Sequence, residues 1–247
     1  MRLIEADWPA PDGVVAVTTT RAGGVSDGPY ASLNLGDHVG DDAAAVATNR
    51  ERLATQLHLP SEPRWLAQVH GTRVVRAGGS AFDAGPPVAD AAVCLRGRHV
   101  LAVLTADCLP IVLCDTEGRG LAALHCGWRS LAGGIVDAAI RALGVPAASL
   151  LAWLGPAISQ PAFEVGDDVR DAFLAGIEDA AHCFDANARG RWQADLYGLA
   201  RLYLERAGVT GVYGGGLCTF GDEARFYSYR RDGQCGRMAT LIFRRGA

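Results

Sequence analysis

Three short apolar runs follow one another between Val100 and Leu124, and they constrain the fold more than any other feature of the chain. The runs read VLAVL, PIVLC and LAAL, and each has the length and composition of a buried strand. A break at Asp107–Cys108 separates the first two runs, and a polar turn at Asp115–Gly120 separates the last two. The pattern therefore predicts three successive strands, with the rest of the chain arranged around them.

The other segments predict more strands than helices, and the two do not alternate strictly. Further predicted strands include 13–20, 64–69 and 239–243. Predicted helices include 43–57, with Asp41 or Asp42 as its N-cap, and 131–143. No GxGxxG follows a strand, no P-loop motif is present, and no linker-like segment divides the chain. We therefore predict a single mixed α+β domain over residues 1–247.

Composition excludes several classes of function. Hydrophobic residues make up 49% of the 247 residues, so a large core can be buried. A net charge of -4 carries no electrostatic signature of nucleic-acid or membrane-surface binding. All 23 basic residues are arginines, which excludes Schiff-base chemistry on lysine. The seven cysteines form no CxxC pair, and no signal peptide or membrane-length apolar run is seen. We expect a cytoplasmic protein that binds neither nucleic acid nor membranes, and the oligomeric state stays open.

Reactive side chains stand at the ends of three apolar runs. Cys108 lies where the first central run breaks, His125 ends the third, and His70 ends the upstream run WLAQV. A residue at a strand end is held by the buried scaffold and faces a loop opening. Two imidazoles and a thiolate suit tetrahedral Zn²⁺, and three protein ligands leave one position open, as in catalytic zinc sites. Asp90, a carboxylate in an otherwise apolar strand, is expected to be paired.

The residue types alone leave three interpretations open. One is the metal site. The second is nucleophilic catalysis, with Cys108 as the thiolate, His125 or His70 as the base and Asp107 or Asp90 as the orienting carboxylate. The third is structural, with a buried thiol and two core histidines.

Copper is a rival metal for the same three ligands. A His₂Cys set with a weak axial methionine is typical of blue copper, but Met1 and Met238 are the only methionines. The six histidines include no His-x-His pair, so one chain cannot build a conventional multicopper centre. A copper ion could still replace zinc at these ligands.

Five motifs occur in one order and resemble the YfiH family, also called DUF152 or the laccase-domain family. They are WLAQVHG, LTADCLPI, HCGWRSL, GPAIS with FEVG, and FYSYRRDGQCGRMA. The resemblance implies a layered α/β/β/α sandwich with a mixed sheet. It also implies a zinc site at His70, Cys108 and His125, and so favours the metal interpretation. Where the family often has Ala and Gly, this chain has Cys126 and Ser130.

The resemblance also implies an activity. Members have been labelled purine nucleoside phosphorylase, polyphenol oxidase and peptidoglycan-editing factor. We favour phosphorolysis of adenosine, inosine and S-methyl-5′-thioadenosine, together with adenosine deaminase activity, so the partners would be a purine nucleoside and phosphate. A copper-dependent laccase, a hydrolase acting on mis-loaded muropeptide precursors and a non-catalytic metal-binding module are the alternatives.

Polar residues inside the motifs are candidates for the remaining roles. Arg129 could clamp phosphate, because a guanidinium binds oxyanions through two parallel hydrogen bonds. Asp107 and Glu164 are the candidate acids for the leaving base, with Asp195 as a further possibility. The expected substrate-binding residues are Arg21, Asn34, Gln68, Arg230 and Arg237.

Overall fold

Two β-sheets packed face to face form the centre of the computed structural model, which describes residues 1–245. The strands are β1 (Leu3–Glu5), β2 (Val14–Thr19), β3 (Pro63–Arg64), β4 (Val74–Arg76), β5 (Ala91–Cys94), β6 (Val100–Thr105), β7 (Leu109–Asp115), β8 (Leu121–Cys126), β9 (Leu150–Leu154), β10 (Glu164–Val165), β11 (Phe184–Ala186), β12 (Trp192–Ala194), β13 (Gly211–Gly214) and β14 (Met238–Arg244). The α-helices are α1 (Ala43–Leu57), α2 (Trp128–Ala132), α3 (Ile135–Leu143), α4 (Asp167–Leu174), α5 (Leu196–Arg206) and α6 (Tyr229–Asp232). Short 3₁₀ segments lie at Gly28–Tyr30, Ser80–Phe82, Ala147–Ser149, Gln160–Ala162 and Glu178–Cys183.

Both large sheets contain a mixture of parallel and antiparallel pairs. The five-stranded sheet has the order β1-β2-β14-β6-β3, and the six-stranded sheet has the order β13-β9-β7-β8-β5-β4. Strand β14 is antiparallel to both of its neighbours, whereas β3 is parallel to β6. In the second sheet, β13 runs parallel to β9 and β4 runs parallel to β5. A small third sheet, β10-β12-β11, lies outside these two.

The layers follow from which faces are apolar. Leu101, Val103, Val112 and Ile242 are fully buried in the core between the two sheets. Helices α3, α4 and α5 cover the outer face of the six-stranded sheet, and α1 covers the outer face of the five-stranded sheet. This is the α/β/β/α sandwich that the resemblance implies, so the predicted fold class is confirmed.

The three central runs form strands β6, β7 and β8, in which every residue is buried. Continuous apolar runs are typical of strands with both faces covered. β7 and β8 are antiparallel neighbours, but β6 pairs with β14 in the other sheet. Residues Ala106–Cys108 therefore carry the chain from one sheet to the other, with Asp107 in a left-handed conformation at φ 95°.

The predicted strand over 64–69 is wrong beyond its first residue. Only Pro63–Arg64 pairs as a strand, and Ala67 makes a single bridge to Val88. The next amides donate instead to a side chain, the carboxylate of Asp90. A buried carboxylate that attracts several amides competes directly with strand pairing, which periodicity does not reveal.

The helix predicted over 43–57 is confirmed, and the Asp42 side chain caps it by accepting from the Ala44 amide at 3.1 Å. The helix predicted over 131–143 is instead divided into α2 and α3. The division lies at Gly133–Gly134, where Gly134 takes a φ of 90° that interrupts helical hydrogen bonding. None of the helices within residues 1–245 has the length and apolar character needed to cross a membrane.

Candidate metal centre

The donor atoms of His70, Cys108 and His125 all lie within 4.8 Å of one another. The Cys108 sulfur is 3.6 Å from Nε2 of His70, and the two imidazole centroids are 4.7 Å apart. With zinc–sulfur and zinc–nitrogen bonds of about 2.3 and 2.0 Å, a tetrahedral angle separates the two donor atoms by roughly 3.5 Å. The Cys108–His70 spacing therefore fits two ligands of a single metal ion, and a donor atom of His125 lies within 4.8 Å of both.

Strand register brings two of the three residues to the same sheet edge. His125 in β8 lies opposite Pro110 in β7, and Cys108 directly precedes β7. Gly127 follows β8, and its backbone passes close to the side chains of His70 and Cys108. A Cβ at Gly127 would lie 2.6 Å from the His70 ring and 3.2 Å from the Cys108 sulfur. Only a glycine allows the backbone to approach the cluster this closely.

Exposure falls from one side of the trio to the other. His70 is exposed, Cys108 is partly buried and His125 is 3% exposed. His70 is also one of the few non-glycine residues with a positive φ, at 60°. A ligand would therefore reach the metal position from the His70 side.

Asp90 is fully buried and supports both histidines. Its Oδ1 accepts from Nδ1 of His125 and from the backbone amide of His70, both at 2.9 Å. Its Oδ2 accepts from the amides of Gly71 at 2.7 Å and Val69 at 3.2 Å. The sequence predicted that Asp90 would be paired. The structure shows its partners, and sequence reasoning did not include Asp90 among the metal-site residues.

The charges in the cluster favour a thiolate at Cys108 beside a protonated His125. Burial alone would lower the pKa of His125, but the negative charge of Cys108 and the hydrogen bond to Asp90 raise that pKa to about 9, so a metal ion binding at Nε2 would displace a proton. Burial alone would raise the pKa of Cys108, but the adjacent His125 and His70 lower that pKa to about 6. Burial would also raise the pKa of Asp90, but the hydrogen bonds from His125, Gly71 and Val69 hold it below its usual range. Cys126 is different, because burial raises the pKa of its thiol and the nearby negative charges of Cys108 and Asp90 add to the effect. Cys108, and not Cys126, is the thiolate available at neutral pH.

Two of the predicted catalytic residues, Asp107 and Glu164, contact different groups of Arg230. Asp107 accepts a 2.6 Å hydrogen bond from the Thr219 hydroxyl and a 2.7 Å bond from the Arg230 amide. The Arg230 guanidinium donates to the backbone carbonyl of Glu164 at 2.9 Å. Arg230 thus contacts the Asp107 side chain and the Glu164 backbone, and Asp107 directly precedes Cys108 in the chain.

The Glu164 carboxylate faces polar neighbours of its own. It accepts from Asn187 at 2.7 Å and pairs with Arg189 at 2.5 Å. Asp195 lies elsewhere, as the N-cap of α5, with its amide bonded to the carbonyl of Cys183.

Arg129 lies on α2, two residues after Gly127, and is exposed. Its guanidinium stacks 4.2 Å from the centroid of the Trp128 ring. The guanidinium makes no hydrogen bond or ion pair with any other residue in the described range 1–245, so its donors are available to an anion.

Gln68 and Asn34 use their amide groups inside the protein. Gln68 donates to the Leu104 carbonyl at 2.8 Å and accepts from the Leu104 amide at 2.7 Å, as a neighbouring strand would. Asn34 accepts from the amides of Arg237 at 2.8 Å and Gly36 at 2.9 Å. Both residues hold loops in place.

The last two predicted substrate-binding residues lie in different surroundings. The Arg237 guanidinium lies 5.8 Å from the ring of Tyr229, the residue next to Arg230. Arg21 donates to the carbonyls of Ala31 and Glu223 and lines an open groove of about 960 Å³. No direct contact joins Arg21 to the metal trio within the described residues.

The two methionines lie away from the trio. The sulfur of Met238 accepts from the Tyr227 amide at 3.1 Å in the interior, and Met1 packs near Gly23. An axial methionine of the blue-copper type is therefore not provided by the residues around His70, Cys108 and His125.

Comparison with known proteins gives consistent matches over nearly the whole chain. A family described as multi-copper polyphenol oxidoreductase laccase matches residues 15–245. Purine nucleoside phosphorylase PA4543 of Pseudomonas aeruginosa is 51% identical over 238 residues, which cover 96% of each chain. Purine nucleoside phosphorylase YfiH of Escherichia coli K12 is 44% identical over 242 residues, covering 98% of each chain.

Solved structures agree with the fold. The crystal structure of Neisseria meningitidis protein NMB0706, assigned to DUF152, has a TM-score of 0.95 and 52% identity and covers 100% of both chains. YlmD from Geobacillus stearothermophilus has a TM-score of 0.87 and 33% identity, covering 96% of this chain and 94% of that one.

Proposed function

The chain belongs to the YfiH (DUF152) family, and from that premise we propose that it is a zinc-dependent purine nucleoside phosphorylase. The proposed substrates are adenosine, inosine and S-methyl-5′-thioadenosine with phosphate, and adenosine deamination is a proposed second activity. The observation that carries the proposal is the His70–Cys108–His125 trio, spaced for one metal ion and open on the His70 side. Close relatives named purine nucleoside phosphorylase support the substrate class.

The three ligands suit zinc by chemical type and by spacing. When bound, zinc would supply Lewis-acid activation of an oxygen ligand at the fourth position. The protein's own contribution is to present Cys108 as a thiolate and to hold the two imidazoles on fixed supports. His125 and Asp90 are buried, so the part of the site around them is shielded from water, which strengthens the electrostatic interactions between their charges.

Arg129 is the proposed phosphate clamp. Its guanidinium is exposed, has no other bonding partner within residues 1–245 and is stiffened by stacking on Trp128. Two parallel N–H donors can hold two phosphate oxygens and orient the nucleophilic oxygen toward the ribose C1′.

Asp107 and Glu164 are the proposed acids for the leaving purine. Asp107 accepts two hydrogen bonds, whereas Glu164 accepts one and forms an ion pair with Arg189. A carboxylate has about four lone-pair positions, so each group keeps positions free for a further contact. Arg230 bonds the Asp107 carboxylate and the backbone carbonyl of Glu164, and it is proposed to bind substrate together with Arg237 and Arg21. Asn34 and Gln68 would contribute by holding the loops of the site, because their amides are already bonded.

Metal content and product analysis test the proposal. We expect about one zinc per chain and release of adenine from adenosine only when phosphate is present. Cys108→Ala should lose both zinc and activity, because two imidazoles alone rarely hold a catalytic metal. Cys218→Ala is the matched control, since Cys218 is a partly buried thiol outside the trio.

Other outcomes would identify the alternatives. Inosine formed with and without phosphate would show deamination without phosphorolysis. Copper in place of zinc, with a phenol oxidised and adenosine unchanged, would support the oxidase description of the matched family. Hydrolysis of a mis-loaded muropeptide precursor, with adenosine unchanged, would support the peptidoglycan-editing alternative.

We also propose a cytoplasmic location. All seven cysteines are free in the structure, which suits a reducing compartment. Fractionation of cells that express the protein, with thiol labelling before denaturation, tests this.

A further inference from the structure

A single buried carboxylate contacts two of the proposed metal ligands by different routes. Oδ1 of Asp90 bonds the ring of His125 and the backbone amide of His70, both at 2.9 Å. Its other oxygen bonds the amides on either side of His70. One oxygen therefore links a histidine in β8 to a histidine in the turn that follows Gln68.

The contact with His125 selects which ring nitrogen faces the metal. An ionised carboxylate only accepts hydrogen bonds, so Nδ1 of His125 must carry a proton. The lone pair of a neutral ring is then on Nε2, on the side of the ring away from Asp90. The Cys108 sulfur and Nε2 of His70 form the other side of the cluster.

The contact with His70 acts through the backbone. Three consecutive amides, from residues 69 to 71, converge on the Asp90 carboxylate. His70, in the middle, has a φ of 60°, a left-handed conformation that non-glycine residues seldom adopt. These hydrogen bonds replace strand pairing and turn the His70 side chain toward Cys108.

We propose that Asp90 is a positioning residue that orients both histidine ligands, setting the tautomer of His125 and the backbone conformation of His70. The inference rests on the proposed metal site and not on the proposed reaction. Carboxylates that orient metal-bound histidines typically contribute about 10- to 100-fold to metal affinity.

The test is the zinc affinity of Asp90→Asn, measured by competition with a chromogenic chelator. If the new amide NH₂ faces His125, it donates to Nδ1 and places the ring proton on Nε2. If the NH₂ faces Val69 and Gly71, it repels their amides and releases the His70 turn. Either orientation loses one ligand, and we expect zinc to bind about 10- to 100-fold more weakly.

Asp115→Asn is the matched control. Asp115 is 3% exposed, and its carboxylate accepts three backbone amides, from Glu117, Arg119 and Gly120. It lies at the opposite end of β7 from Cys108. This variant should lose stability and keep the zinc affinity of the wild type. Wild-type affinity in Asp90→Asn, or equal losses in both variants, would overturn the proposal.

A second measurement does not depend on the variant folding. In ¹⁵N-labelled, zinc-loaded wild-type protein, we expect His125 to show a slowly exchanging Nδ1 proton and no Nε2 proton. The amides of Val69, His70 and Gly71 should also exchange slowly. A His125 ring protonated on Nε2 would overturn the proposal.

Zinc binding and nucleoside conversion by the wild-type protein distinguish failure of this inference from failure of the proposed reaction. Wild-type protein that binds no zinc would overturn the inference together with the metal site. Wild-type protein that binds zinc and converts no nucleoside would overturn the reaction alone, and Asp90→Asn would then decide the inference.

Discussion

Gly127 shows how one residue limits the geometry of the metal trio. The residue has an ordinary φ of -62°, so its importance is steric and not conformational. A side chain there would meet the His70 ring and the Cys108 sulfur at distances below normal contact. The close approach keeps the cluster small enough for one metal ion.

We expect Gly127→Ala to lower zinc affinity at least tenfold, because the new methyl group would push His70 and Cys108 apart, and misplaced ligands weaken a metal site. Titration with zinc against a competing chelator measures this. Gly79→Ala is the control, because an added Cβ there would meet only a carbonyl oxygen at 3.5 Å. Unchanged affinity in Gly127→Ala would show that the trio does not need this close approach.

At the scale of elements, the connection between β6 and β7 holds the site together. It crosses from one sheet to the other and carries Asp107 and Cys108. Asp107 fastens it to two distant segments through Thr219, 112 residues away, and Arg230, 123 residues away. Cys108 therefore directly follows a residue that is anchored to two distant parts of the chain.

Thr219→Val should lower the free energy of unfolding by about 1–3 kcal/mol, since it removes a buried hydrogen bond and leaves a carboxylate oxygen of Asp107 short of a partner. Urea denaturation monitored by fluorescence measures the loss. Thr48→Val, on the partly exposed α1 surface, is the control and should change the free energy by only a few tenths of a kcal/mol. Equal stability of the two variants would contradict the anchoring role of Thr219.

At the scale of the whole molecule, the two sheets share one apolar interior. Val112 comes from the six-stranded sheet and Ile242 from the five-stranded sheet, and both are fully buried in the same cluster. If either sheet unfolded alone, the apolar side chains that the other sheet contributes to this cluster would be exposed to water. The prediction of a single domain over residues 1–247 then implies that both sheets unfold together.

Ile242→Ala should lower the free energy of unfolding by about 2–5 kcal/mol through the cavity it leaves. We expect far-UV circular dichroism and tryptophan fluorescence to report the same single transition in urea. Ile4→Ala, in edge strand β1 and only partly buried, should cost less. Two separate transitions would contradict the single-domain prediction.

The sequence by itself determined those features that depend on local physics. Continuous apolar runs predicted β6, β7 and β8, because a strand covered on both faces needs no polar alternation. Helix α1 was predicted with Asp41 or Asp42 as its cap, and Asp42 is the cap, because capping acts within a few residues. His70, Cys108 and His125 were selected by side-chain chemistry and strand-end position, and the family resemblance then favoured metal over a thiol enzyme or a core cluster.

Only the tertiary structure decided which distant groups meet. It separated β6 from β7 into two sheets and replaced the predicted strand after Arg64 with a turn around Asp90. It also placed Gln68 on the backbone of Leu104, 36 residues away. The partner of a buried carboxylate or amide is set by packing between elements far apart in the chain. No local period in the sequence encodes such a pairing. The sequence offered Asp90 only as one of two carboxylates that could orient a histidine in a thiol enzyme, and the fold shows that it bonds both His70 and His125.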